Sequence, residues 1–448
     1  MSAQIIVNYA APNGKPIRPL HGVNSGPMTK VFTYDARPLF REAGLPYARL
    51  HDVEYPYGSG EFVDIPCIFR NFDADENDPA NYNFGLTDEY LAHCVEVGCE
   101  PFFRLGVSIE HAPVKRHIYP PKDFAKWARI CEHIIRHYTE GWADGYTWKI
   151  DYWEIWNEPD GNGNMWLGTP EQFYEFYTIA ARHLKGCFPH LKIGGSAFCR
   201  GIKPFMVGFM DYLAAQEEPV PLDFYSWHRY FADISMMTDE AKAVDELLAS
   251  HGYTNTESVF NEWNYMIAWD ADSQSESYRR MKNHIGAAHH AAVLAAMQQD
   301  TSISLACLFE ADVVKEFCSL FNVADMCIGN HGRKARLAPT KAFYSFKAFN
   351  ELYKMGNAVT ADITGDGIYA CAACGEGQQG LLAANYTDEP NEITVDLKGL
   401  SAGQLEVRII DEDHFFEPIM NLVAPADTMT LTLPVKANTV LYIGSPIE

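Results

Sequence analysis

From about Leu20 the chain settles into a rhythm that few folds can accommodate: short apolar segments alternate with longer amphipathic ones, eight times over. A strand that is apolar on both faces must be covered on both. A helix between two such strands covers one face and returns the chain for a parallel neighbour. Strands are expected at 20–24, 47–52, 101–106, 151–159, 192–196, 222–228, 258–263 and 303–309. Helices are expected at 34–43, 87–97, 122–138, 169–185, 204–215, 238–250, 275–299 and 340–353. The fourth helix opens on Thr169-Pro170-Glu171-Gln172, a capping box with proline at the first helical position, and Gly98 stands where a C-cap belongs. Eight such repeats predict a closed (β/α)8 TIM barrel over residues 18–354.

After Gly356 the rhythm changes to short strands and turns, at 367–370, 380–386, 392–397, 405–411, 429–433 and 439–443. This pattern predicts an accessory C-terminal antiparallel β-sandwich. Residues 4–9 form an orphan alternating stretch that is expected to complete it, so the accessory domain comprises 1–17 and 355–448. The Cys371-Ala-Ala-Cys374 pair has redox spacing, but in an all-β stretch with no nearby histidine it reads as packing.

The formal net charge of −24 repels phosphate backbones and anionic membranes, so neither nucleic acid nor a membrane is an expected partner. No window is apolar enough to span a bilayer, and Met1–Pro12 lacks the basic-then-apolar order of a secretory signal. Eleven cysteines, an odd number scattered through helices and strands, suit reduced thiols. A cytoplasmic protein is the expectation. The sequence carries no clear signal of oligomeric state.

In a barrel, chemistry collects where the strands end. The fourth strand closes on Asp151-Tyr-Trp-Glu-Ile-Trp-Asn-Glu-Pro159, and Pro159 cannot continue a central strand. Glu158 is thus a carboxylate at the mouth of a buried, tryptophan-ringed strand. Burial there should raise its pKa, as a general acid working near neutrality requires. Its partner is Glu262, in Val259-Phe-Asn-Glu-Trp263, where an apolar strand again delivers a carboxylate beside asparagine. Two such carboxylates across a barrel mouth make a glycosidase pair: roughly 5–5.5 Å apart for retention, roughly 6.5–9.5 Å for inversion. Arg49 and His228 are expected to hold the nucleophile ionised, and Asn157 to bond a sugar 2-hydroxyl. His51, Asp52, Tyr230 and Trp263 are further candidates for lining the pocket. His21, Glu310 and Asp312 also fall near strand ends.

The W-N-E-P and N-E-W motifs are similar to those of clan A glycoside hydrolases. More narrowly the chain resembles glycoside hydrolase family 39, which includes β-xylosidases and α-L-iduronidases. The supporting segments run in order along the barrel: Ala48–Asp52, Trp153–Asp160, Lys192–Gly195, Asp223–Tyr230, Phe260–Trp263, Leu320–Asn322 and Lys341–Phe346. The resemblance implies Glu158 as acid/base, Glu262 as nucleophile, a small β-sandwich joined to the barrel, and no metal or organic cofactor. Clan members usually carry a tryptophan on the eighth strand, under the sugar. Ser304–Glu310 has none, which leaves Phe309, or a tryptophan from a loop, to take that place.

The function expected is a retaining, exo-acting, β-xylosidase-like hydrolase of a glycoside or oligosaccharide. An endo-glycanase on a plant or microbial polysaccharide is the alternative within the class. A non-catalytic carbohydrate-binding barrel is the alternative outside it. A metal is not expected: His21, His51, His111 and His228 offer no close pair on one element, and the adjacent His289 and His290 diverge on a helix. A uronic acid would need a basic residue at the pocket wall, for which Arg104, Lys115, Arg116 and Arg229 are the candidates. The loop at 54–84, rich in Asp, Asn, Pro and Gly, is long for a barrel of this kind.

Overall fold

The computed structural model describes residues 2–30, 34–53, 62–110, 114–161, 163, 165–199, 201–312, 316–325 and 336–447. His111 and the first part of the long loop, 54–61, lie outside the described residues. Eight parallel strands close the predicted barrel. In order they are Gly22–Asn24, Tyr47–Arg49, Glu100–Leu105, Tyr152–Ile155, Lys192–Phe198, Phe224–Tyr230, Glu257–Asn264 and Leu305–Leu308. Each pairs with its sequence neighbours, and the eighth closes on the first through Cys307 opposite Gly22.

The helices follow the amphipathic segments. Helix Pro170–Cys187 has its capping box, with Gln172 N–H donating to Thr169 Oγ1 at 3.2 Å and Thr169 N–H to Gln172 Oε1 at 2.9 Å. One expected helix, 275–299, is two: Ala271–Arg280 and His284–Asp300. The break falls at Asn283, whose side chain accepts the Ile285 N–H at 2.8 Å and starts a new helix instead of continuing the old one. The long loop contains a helical turn at Ile65–Ile68 and a 3-10 turn at Pro79–Asn81.

The C-terminal region forms two sheets, of four and six strands. Strand Ser2–Asn8 does join this region. It lies antiparallel to Ala361–Thr364 and parallel to Asn391–Leu400, so the small sheet contains one parallel pair. Alternation along strand Ile368–Gly375 shows how the larger sheet docks. Cys371 and Ala373 join the core beneath the barrel helices, whereas Ala370 and Ala372 join the core between the two sheets. The helices on the barrel side are His284–Asp300 and Lys341–Met355.

Candidate functional site

The barrel interior is built in layers by the two-residue period of its strands. On the sixth strand Phe224, Ser226, His228 and Tyr230 project inward. Tyr225 and Trp227 pack outward, on Phe198 at 5.0 Å and Phe260 at 4.2 Å between ring centroids. Phe102, Tyr152, Phe224, Val259, Leu305 and Cys307 fill the floor. Above the floor comes a polar layer, two residues further along the fourth and sixth strands, made by Glu154 and Ser226.

Arg49 is the hub of that layer and is fully buried. Its Nε donates to Glu154 Oε2 at 2.8 Å, and its Nη1 to Asn24 Oδ1 at 2.9 Å and Glu262 Oε2 at 3.1 Å. Its Nη2 donates to Asn157 Oδ1 at 2.5 Å. Glu154 is held from its other oxygen by Ser226 Oγ at 2.6 Å and Asn261 Nδ2 at 2.5 Å. Burial alone would lower the pKa of Arg49, but the carboxylates of Glu154 and Glu262 outweigh it, so the guanidinium is a fixed positive charge.

Glu262 sits one layer higher. Strict alternation would send Asn261 and Glu262 to opposite faces, yet both reach inward. The strand bulges here: its register against the sixth strand shifts between Val259 and Glu262, and against the eighth between Phe260 and Trp263. Tyr230 O–H donates to Glu262 Oε1 at 2.5 Å, opposite Arg49 on Oε2. Burial pushes the Glu262 carboxyl above the ordinary range and Glu158 adds to this, while His228, Arg49 and the Tyr230 hydroxyl pull it back. The net direction is upward, contrary to the lowering expected from its cationic surroundings.

Glu158 arrives by a different route. The fourth strand ends at Ile155, short of the expected Pro159. Trp156 adopts φ 72° and Glu158 φ 44°, left-handed values that cost about 1–3 kcal/mol each and must be held by their surroundings. Trp156 N–H bonds Leu105 O at 2.7 Å and Glu158 N–H bonds Ala197 O at 3.0 Å. Gly106 makes room: a Cβ there would stand 3.1 Å from the Trp156 Cα. The Trp156 indole is thereby sent outward against Trp166 and Phe176, while Asn157 and Glu158 are brought to the barrel mouth.

His228 joins the two carboxylates. Its Nδ1 lies 2.8 Å from Glu158 Oε1 and 3.5 Å from Glu262 Oε2. Glu158, His228 and Glu262 each present one polar atom within 4.8 Å of the others. Burial lowers the His228 pKa to about 4, so at neutral pH the ring is a neutral donor and not a cation. The trio has the spacing of a metal site, but both Glu262 oxygens already accept protein donors, one of them the Arg49 guanidinium. A dication there would face that fixed positive charge.

The other sequence candidates divide. Phe309 lies at the mouth, 6.4 Å from the rings of both His51 and Tyr230. Asp52 turns to the loop after the third strand, where its Oδ1 accepts the Ile109 N–H at 3.1 Å. Trp263 does not line the pocket: it is fully buried among Phe260, His290 and Phe346, in the layer between barrel and helices. His21 likewise faces away, bonding Asn350 at 3.2 Å beneath Phe349 and Tyr353. Glu310 and Asp312 are buried, and Glu310 accepts from Ser25 Oγ at 3.0 Å. Of the basic candidates, Arg104 is neutralised by Asp64 at 2.5 Å and Arg229 by Glu240 at 2.8 Å, while Lys115 bonds the Glu110 carbonyl. The reading of the sequence missed Glu154. A charged residue in the middle of Tyr-Trp-Glu-Ile-Trp could have been found by asking what would compensate it in a buried strand.

An inward-facing carboxylate pair, carried by the fourth and seventh strands of a closed barrel and braced by a buried arginine, defines a barrel with the architecture of a glycosidase site. The sequence comparison agrees with that architecture. Residues 15–306 match the model of glycosyl hydrolases family 39, and the chain belongs to this family. It is 30% identical over 187 residues to a β-xylosidase of Geobacillus stearothermophilus, and 28% over 205 residues to one of Caldicellulosiruptor saccharolyticus. These stretches cover 39% and 44% of this chain, and 36% and 39% of the two relatives. In fold it is similar to a glucosidase from Croceicoccus marinus, with a TM-score of 0.78 and 24% identity over all of both chains. It is also similar to a monomeric β-xylosidase from Caulobacter crescentus CB15, with a TM-score of 0.72 and 14% identity over 99% of this chain and all of that one.

Proposed function

We propose that the protein is a retaining, exo-acting glycosidase that removes a terminal neutral sugar, with Glu262 as nucleophile and Glu158 as acid/base. The observation that carries this reading is that one oxygen of each carboxylate lies within 4.8 Å of the other, nearer the roughly 5–5.5 Å separation of retaining pairs than the roughly 6.5–9.5 Å of inverting ones. Glu262 attacks the anomeric carbon while Glu158 gives its proton to the departing oxygen. The glycosyl–Glu262 ester is then opened by a water that Glu158 deprotonates, and the configuration is restored. Arg49 and Tyr230 fix the attacking carboxylate. The Asn157 amide has its oxygen on Arg49 and no partner for its nitrogen among the described residues, which leaves an N–H to donate to the sugar 2-hydroxyl.

Exo action is supported by depth: the Glu262 side chain is 6% exposed and that of Glu158 18%, as at the base of a pit. A neutral sugar is supported by charge. Arg49 faces Glu154, Glu262 and, further out, Glu158, so an anionic sugar would meet net negative charge. The names of both curated relatives make a β-linked xyloside the first substrate to try.

The test is hydrolysis of nitrophenyl glycosides, with the first-formed anomer read by NMR. A β-xyloside should release β-xylose first, and azide should restore turnover to Glu262→Ala with formation of the α-azide. Release of the opposite anomer, or full activity in Glu262→Ala or Glu158→Gln, overturns the assignment.

A further inference from the structure

Tyr230 holds the nucleophile by its hydroxyl, and its ring has neighbours on two sides. Phe309, 7% exposed, lies 6.4 Å away, and Trp269, 59% exposed, lies 5.5 Å away at an interplanar angle of 77°. Phe317 touches all three, at 5.5, 5.7 and 6.4 Å. An aromatic wall therefore runs from beside Glu262 out to solvent, and Trp269 is its outer end. Among the described residues Trp269 is the one tryptophan counted as exposed. An indole carries 150–250 Å² of mostly apolar surface, roughly, and one left in water on a rigid wall is a surface ready to be covered.

The position is also held. Asp270 caps the helix Ala271–Arg280 by accepting the Ser273 N–H at 3.0 Å, and Gln274 Nε2 donates to the Trp269 carbonyl at 2.6 Å. The indole thus stands on a capped helix start, so little ordering is left to be done when a ligand arrives.

We propose that Trp269 is the platform of a leaving-group subsite that takes the flat apolar face of an aryl ring or of a second sugar ring. This deepens the glycosidase reading and rests on it. A terminal sugar bonded at its anomeric carbon to Glu262 lies on the inner side of Tyr230. The group attached through the scissile oxygen then points outward along the wall, toward Trp269. Phe309 and Tyr230 bound the cleaved sugar, and Trp269 meets only what departs.

That division gives a test in which the leaving group is varied and the sugar is kept. The wild type, Trp269→Ala and Trp269→Phe are assayed on three substrates of one sugar: the nitrophenyl glycoside, the homodisaccharide and the glycosyl fluoride. Fluoride is too small to reach an outer platform. For Trp269→Ala, kcat/KM should fall about tenfold or more on the aryl glycoside and the disaccharide, chiefly through KM, and stay within about twofold on the fluoride. Trp269→Phe should recover most of the loss. Equal losses on all three substrates would show that the ring props Tyr230, and would overturn the subsite. Unchanged kinetics on all three with an active wild type would also overturn it. A wild type that hydrolyses none of the three overturns the glycosidase reading and the subsite together, a result distinct from the other two.

Discussion

The ends of the fourth and seventh strands read alike and are built differently. Each presents an Asn-Glu pair after an apolar run, with a tryptophan beside it. At the fourth strand the chain leaves the pleat through left-handed Trp156 and Glu158, and the glutamate emerges 18% exposed against a neutral histidine. At the seventh the chain stays extended and bulges, and the glutamate is 6% exposed between a guanidinium and a phenol. Exposure and a neutral partner suit a group that must exchange protons with a leaving oxygen and then with water. Enclosure by fixed donors suits one that must keep its place and its charge. One local motif thus yields two environments, and the backbone decides which.

The comparison breaks first at Arg49, which serves the seventh-strand glutamate directly and the fourth-strand end through Asn157. Arg49→Met would leave Glu154 and Glu262 buried without their cation. Removing one partner of a buried pair costs about 3–5 kcal/mol, and here two carboxylates share the partner. The expected outcome is a large fall in thermal and chemical stability together with loss of turnover. A variant as stable as the wild type would mean that the polar layer is not what braces the two ends.

Tyr230 separates the ends more finely, since its hydroxyl bonds Glu262 alone. Removing a hydrogen bond to a charged group costs about 1.5–3 kcal/mol, so Tyr230→Phe should lower kcat/KM about 10- to 100-fold. The sign of the pH effect follows from the same bond. The hydroxyl pulls the Glu262 pKa down, so its loss raises that pKa further. On the proposed mechanism Glu262 attacks as the carboxylate, hence activity that falls with acidity begins to fall at a higher pH in the variant. The deficit should be larger at pH 5 than at pH 7. Because Glu158 acts on the Glu262 pKa, the shift is read from the whole acidic limb of the pH profile. An acidic limb that stays where it was would place the Tyr230 bond outside the ionisation of the pair.

How much of this was legible in the sequence depends on which residues had to meet. The barrel followed from periods of two and 3.6, which are local, and the capping box at Thr169 was read directly. That Glu158 and Glu262 would meet was legible because their motifs stand at strand ends. Glu154 escaped because its partners, Arg49, Ser226 and Asn261, come from three other strands, and only register brings them to one level. The bulge at 260–262 and the left-handed turn at 156–158 were invisible for a related reason. Each is a departure from a period, imposed by neighbouring strands and by the space that Gly106 leaves. Whether His228 is a cation or a neutral donor was not legible, because its burial is a property of the assembled barrel. The single long helix at 275–299 failed on Asn283, whose capping side chain was in plain view.

The smallest expected effect concerns Trp263, one of the two tryptophans that made the motifs look alike. The sequence places Trp263 in the pocket lining, as it would any residue next to Glu262 if the strand merely ended there. The bulge turns Glu262 inward and leaves Trp263 facing the helices, where its indole nitrogen finds no hydrogen-bond partner among the described residues. Trp263→Phe therefore removes volume from a packed layer without orphaning a polar group. A cost of about 1–2 kcal/mol in stability follows from the cavity left near Phe346 and His290. Activity should not follow it: kcat and KM on any glycoside that the wild type cleaves should stay within about twofold, because nothing the substrate touches has moved. A rise in KM with stability unchanged would put the indole in the pocket after all. The seventh strand would then end as the sequence first suggested, with carboxylate and tryptophan side by side.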